Sequence, residues 1–158
     1  MIKAKSFGFT LIEILCTLSI LSLSVFCVFT LSERFLIANE NYNLTAQLMN
    51  MVNYSRNMAL FTNLNLTINP YHNDWSCGVV LFIDNKNHHY SGHEKIIHIW
   101  SWKLKFLQLS WHGLLADDYL TFSNNLNHAI TNGHFTISQN VNVIRRIVLN
   151  RLSRVIIK

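Results

Sequence analysis

Proline is almost missing from this chain, and the gap is informative. Its one proline is Pro70, so nothing between Phe9 and Phe61 breaks a helix. Glycine is scarce too, with five residues and no Gly-rich phosphate loop. Neither G-x-S-x-G nor C-x-x-C occurs, so no enzyme signature is present and no cofactor or metal is implied. Three cysteines, Cys16, Cys27 and Cys77, do not make a disulfide framework. Cys16 and Cys27 fall in an apolar run, where a thiol acts as a small apolar group. Cys77 is either buried or a candidate for intermolecular pairing, and burial is the expectation. Charge is sparse as well: only 13% of residues are charged, low for a soluble protein. Internal repeats and low-complexity linkers are also absent.

What is present begins with a span. Phe9 to Leu31 carries one charge, Glu13, in 23 residues, and as a helix covers roughly 35 Å. That length crosses a membrane once, and no later segment matches it. A cleaved secretory signal is disfavoured, because the run exceeds the usual apolar core of such signals and no A-x-A site follows. Lys3 and Lys5 precede the run, so the N-terminus is expected on the cytoplasmic side and the bulk of the chain outside. From Glu33 to Phe61 apolar residues recur at steps of three and four (Phe35, Leu36, Tyr42, Leu44, Leu48, Met51, Val52, Met58, Ala59, Phe61), which predicts an amphipathic helix continuing the span.

After Asn63 the texture changes to short β-rich runs punctuated by Asn, Asp, Gly and Ser. Eight are expected as strands: Leu64–Ile68, Gly78–Asp84, Ile96–Ser101, Leu104–Trp111, Tyr119–Ser123, His134–Ser138, Val143–Leu149 and Arg154–Ile157. Asp84-Asn85-Lys86-Asn87 reads as a turn, and Val79–Ile83 as a strand covered on both faces. The fold class is therefore α+β: a long N-terminal helix, transmembrane then amphipathic, packed on an antiparallel β-sheet head. Trp75, Trp100, Trp102 and Trp111 read as packing residues first.

The N-terminus resembles a known family. A basic leader ending in Gly8, then Phe9-Thr10-Leu11-Ile12-Glu13 and a long apolar run, resembles the class III signal of type IV pilins and pseudopilins. Tyr54-Ser55-Arg56-Asn57-Met58-Ala59 looks like that family's helix end. Asp74-Trp75-Ser76-Cys77-Gly78-Val79-Val80-Leu81-Phe82-Ile83-Asp84 is similar to the D-W-x-x-G-x-x-V-F-x-D stretch of the FimT/GspH minor pilins. Tyr119–Ser123 and Arg146–Val155 resemble their closing strands.

The resemblance implies a leader (1–8), a transmembrane helix half (9–31), an amphipathic half (32–62) and a pilin-like head (63–158). It implies cleavage by prepilin peptidase between Gly8 and Phe9 and N-methylation of Phe9. It further implies a single-pass protein of the inner (cytoplasmic) membrane with a periplasmic head, which then joins other pilins or pseudopilins in a type IV pilus or a type II secretion pseudopilus. Many relatives carry a proline where this chain has Thr30, so the helix is expected to be less kinked here.

Two sets of residues carry the functional expectations. An acid in hydrocarbon protonates or finds a cation. In the family picture Glu13 pairs with an N-terminal amine freed by cleavage, usually a neighbouring subunit's, and sets axial register. The alternative is an acid satisfied by water and headgroups near the interface. The second set is electrostatic. Asp118 is the last acid, and Arg145, Arg146, Arg151, Arg154 and Lys158 follow without a carboxylate, a footprint for phosphate-backbone binding. Relatives of the FimT type are implicated in DNA uptake through a Gly-Arg-x-Arg motif, matched here by Ser153-Arg154-Val155-Ile156, with one arginine kept and one lost. Arg146, Arg151, Arg154 and Lys158 are the candidates for contacting double-stranded DNA. The alternatives are a basic edge that merely protects strand termini and a pseudopilin acting purely in secretion.

Histidines give no metal pattern. His93-Glu94-Lys95-Ile96-Ile97-His98 spaces its histidines by five, one too many to share a helix face, and His88-His89 read as turn decoration.

Overall fold

The computed structural model describes residues 10–125, 129, 131–150 and 153–157. Among them a single α-helix, α1 (Leu11–Thr62), is followed by eight strands, with a short 3-10 turn (Tyr71–Asn73) between the first two: β1 (Leu66–Pro70), β2 (Gly78–Ile83), β3 (Ile96–Ser101), β4 (Gln108–Gly113), β5 (Leu120–Phe122), β6 (Gly133–Gln139), β7 (Asn142–Leu149) and β8 (Val155–Ile157). All eight expected strands are present, with ends shifted by a few residues. α1 is unbroken through position 30, as the missing proline implied. It stops at Asn63, whose φ of 57° is the left-handed conformation that closes many helices. The chain divides into two compact units, Met1–Ala38 and Asn39–Lys158. Within the first lies the one described stretch long and apolar enough to cross a membrane, with a mean hydropathy of 2.4.

In the second unit the strands form two antiparallel sheets, ordered β3-β2-β1-β5 and β4-β6-β7-β8. The helix buries a stripe of Leu44, Leu48, Met51, Val52 and Ala59, spaced to stay on one side of a 3.6-residue turn. Each fully buried apolar side chain of this size stabilises by about 1.5–3 kcal/mol. Thr45 and Ser55 complete the stripe by bonding their hydroxyls to the carbonyls of Asn41 and Met51. Part of the expected apolar face departs from this: Phe35, Leu36, Tyr42 and Phe61 are exposed. Tyr42 and Phe61 sit two residues from Leu44 and Ala59, about half a turn around the helix, so no stripe can include both members of such a pair.

β2 is buried along Gly78–Phe82, as its unbroken apolar run predicts. Val79 and Leu81 pair with Trp100 and His98 of β3, and Tyr54 of α1 packs its ring 5.6 and 5.4 Å from those two. On the other side, Tyr90 of the β2–β3 segment places its ring 5.6 Å from that of Phe82. Asn69 holds that segment: its amide donates to the carbonyls of His88 and Asp118 (3.1 and 3.2 Å), and its oxygen accepts the Tyr90 N–H. Pro70 ends β1 beyond the last residue paired with β5, so no ladder bond needs the N–H it lacks.

Aromatics join the two sheets. Trp75 meets Phe135 of β6 edge-on at 5.7 Å, and Phe135 lies 4.7 Å from Trp111 of β4. The indole N–H of Trp102 donates to the Trp75 carbonyl at 2.9 Å. Trp75, Trp102 and Trp111 are buried and Trp100 is half-buried, in keeping with a packing role.

Candidate functional site

Glu13 lies in the first turn of α1, where its backbone N–H donates to the Thr10 carbonyl at 3.1 Å. Among the described residues, no hydrogen bond or ion pair engages its carboxylate, and its neighbours Leu11, Ile12, Ile14 and Leu15 are exposed. An acid in such a setting is open to a cation from another chain. Gly8 and Phe9 lie outside the described residues.

The basic C-terminal candidates are sorted by strand alternation. On β7, Ile147 and Leu149 are buried and pair with Phe135 and Gly133 of β6. Arg145 shares that inner side, and its guanidinium donates to the Thr45 hydroxyl of α1 at 3.4 Å. Arg146 points the other way, is exposed, and stands opposite Thr136. β8 continues the pattern: Val155 pairs with Leu149 and Ile156 with Val148, so the two-residue period sets exposed Arg154 on the Arg146 side. Asn150 anchors it, accepting the Arg154 N–H at 2.9 Å through its side chain. The chain reverses at Ser153, whose φ is 55°. Arg151 and Lys158 lie outside the described residues.

The same outer side carries two residues that the basic-patch reading did not single out. Trp111 and Phe135 pair on the inner side, so the next pair, His112 and His134, faces out, with ring centres 5.3 Å apart. Burial holds His134 below the usual imidazole range, His112 and Arg146 push it the same way, and Asp117 opposes them. The available signal was the flanking Trp111-His112 and His134-Phe135 pairs: matching the core aromatics across the sheet juxtaposes the histidines.

Elsewhere, polar groups serve the fold. His88 bonds Asp84 at 2.8 Å, stacks on Tyr119 at 4.8 Å, and so does more than decorate a turn. His89 approaches Asp118 at 3.1 Å. Among the described residues, no three His, Cys, Asp or Glu side chains converge. Cys77 is exposed, contrary to the expected burial. It sits in the tight turn before β2, where the chain reverses before its apolar run begins. Its thiol lies 3.5 Å from an Asp74 carboxylate oxygen, whose hydrogen bond and negative charge raise the thiol pKa.

Solved structures similar to this architecture include the type IV minor pilin FimU of Pseudomonas aeruginosa (strain PAO1) in two crystal forms. The P21 form aligns with a TM-score of 0.59 at 18% identity, covering 78% of this chain and 92% of FimU. For the P65 form the TM-score is 0.52 at 17% identity, covering 72% and 88%. The fold is pilin-like. No protein-family model matches the chain, and no curated protein matches it either.

Proposed function

We propose that this protein is a minor subunit of a type IV pilin-class envelope filament, of the FimT/GspH type. The observation that carries the reading is the continuity of α1 from an exposed apolar segment into the helix stripe that closes a pilin-like head. In this reading α1 anchors the protein in the cytoplasmic membrane with its head outside. Prepilin peptidase cuts between Gly8 and Phe9, Phe9 is N-methylated, and Glu13 then pairs with the N-terminal amine of a neighbouring pilin. The protein is structural and carries no catalytic residues. Production together with a prepilin peptidase is expected to yield a chain beginning at N-methylated Phe9 by mass spectrometry. A mature N-terminus elsewhere would overturn the reading.

A second layer concerns DNA. Arg146 and Arg154 are exposed on one side of the second sheet, in a stretch with no acid after Asp118. That supports contact with the phosphate backbone by Arg146 and Arg154, joined by Arg151 and Lys158. The competing reading is a GspH-type pseudopilin of type II secretion that binds no DNA. Duplex binding by the detergent-solubilised protein separates them, since each neutralised phosphate adds about −0.9 to the slope of log affinity against log salt. Lack of binding at low salt would leave the secretion reading.

A further inference from the structure

The outer side of the second sheet holds a cluster that the string of C-terminal arginines does not contain. His112 on β4 and His134 on β6 are directly opposed, with ring centres 5.3 Å apart and planes tilted by 35°. The Ser110 hydroxyl lies 3.2 Å from His112 Nε2. Arg146 on β7 stands opposite Thr136, two residues along β6 from His134, and so belongs to the same side. Three strands therefore bring two imidazoles and a guanidinium together. Among the described residues, the acid acting on His134 is Asp117, from the segment after β4, and its carboxylate already accepts the Gly113 N–H at 2.8 Å.

Two ligand chemistries compete for such a cluster. A metal cation would find two nitrogen ligands but no third His, Cys, Asp or Glu converging with them among the described residues. It would also meet the repulsion of Arg146. A phosphate group meets the opposite arrangement, since two imidazolium N–H groups and a guanidinium all donate to its oxygens. We propose that His112, His134 and Arg146 form a proton-gated site for one phosphate group of a nucleic-acid backbone, weak when both rings are neutral and strong when they carry protons.

The proposal rests on the nucleic-acid reading above and adds its regulation. In the free protein, partial burial comes first in disfavouring a proton on His134. The charges of His112 on β4 and Arg146 on β7 add to it, and Asp117 opposes both. A bound phosphate supplies the missing negative charge, so binding and proton uptake favour each other. Affinity must then rise as pH falls through the imidazole range, by about tenfold where binding makes one ring ten times harder to deprotonate.

The test uses the full chain in detergent and a short DNA duplex at fixed ionic strength, titrated at pH 7.5, 6.5 and 5.5. Affinity is expected to rise severalfold from pH 7.5 to 5.5, since a tenfold tighter hold on the proton of a single ring sets a ceiling of about tenfold. The His112→Asn/His134→Asn variant, checked for an unchanged melt at pH 7.5, should lose most of this gain. A second measurement needs no variant: the imidazole NMR signal of His134 should titrate at higher pH when duplex is present. Inorganic phosphate reproducing that change with no duplex affinity would assign the site to free phosphate and overturn the proposal. So would binding to anionic vesicles but not duplex. Duplex binding with a normal salt slope but no pH dependence would overturn the gate and leave the nucleic-acid reading standing. Absence of duplex binding at every pH would overturn both.

Discussion

Arg145 and Arg146 are adjacent in sequence, yet their substitution should have opposite consequences. Arg145 turns inward, and its guanidinium meets the Thr45 hydroxyl at 3.4 Å, a bond near the long limit for such contacts. Replacement by Ala removes that bond and the packing of the arginine stem, worth about 1 kcal/mol at a half-buried site. For a folded unit of this size the melting point should drop by about 3–6 °C. Arg146 is exposed and has no such anchor among the described residues, so Arg146→Ala should change the melt by less than about 0.5 kcal/mol. Its effect should instead appear in DNA binding, lowering the magnitude of the salt slope by about one. The assay pairs thermal melts followed by circular dichroism with duplex titrations at four salt concentrations. If Arg145→Ala flattened the salt slope as much as Arg146→Ala, the inward and outward assignment of β7 would be wrong. The phosphate face built upon it would fall with it.

Other substitutions test the architecture. Leu48 is 0% exposed in the helix stripe, so Leu48→Ala should cost about 2–5 kcal/mol in chemical denaturation; a loss below about 1 kcal/mol would mean the stripe is not packed as described. Gly78 has φ of +138°, and an added Cβ would press on the Trp100 backbone carbonyl. Gly78→Ala should therefore destabilise by more than about 2 kcal/mol, and a neutral effect would contradict the β2–β3 register. Glu94 is held at a pKa of about 2, first by the Ser91 hydroxyl at 2.6 Å; desolvation opposes this, and the Ser91 N–H, the Glu94 backbone N–H and the Asn85 amide reinforce it. Because the folded value lies below the unfolded one, the tether is intact above the ordinary carboxylate range and weakens as pH falls toward 2. In Ser91→Ala the Glu94 carboxyl should titrate at higher pH by NMR, and an unmoved titration would show that the hydroxyl is not the cause.

Local signals and non-local ones differed in how much the sequence disclosed. Helix continuity across Thr30 and the eight strands are written in short-range features: a missing proline, the run Val79–Ile83, and the polar punctuation around Asp84. The division into two sheets is not, because it depends on which distant strands pair, such as β1 with β5 and β4 with β6. Phe35, Tyr42 and Phe61 misled for a related reason. Steps of three and four allow several overlapping stripes, and only packing against the strands selects the one through Leu48. At the candidate site, the basic character after Asp118 was legible as composition. That Arg145 faces Thr45 while Arg146 faces out, and that His112 meets His134, are consequences of register. Burial is the expectation for Cys77, but its turn faces solvent.

Assembly into a filament is the central claim. The decisive measurement is the fraction of this protein recovered in sheared, purified filaments from cells carrying the wild-type chain or Glu13→Ala, with membrane levels and Gly8–Phe9 cleavage monitored in both. The wild-type protein should be found in the filaments, and Glu13→Ala should be cut normally yet be depleted from them. Equal incorporation of the two, or wild-type protein absent from filaments altogether, would contradict a filament subunit registered by Glu13.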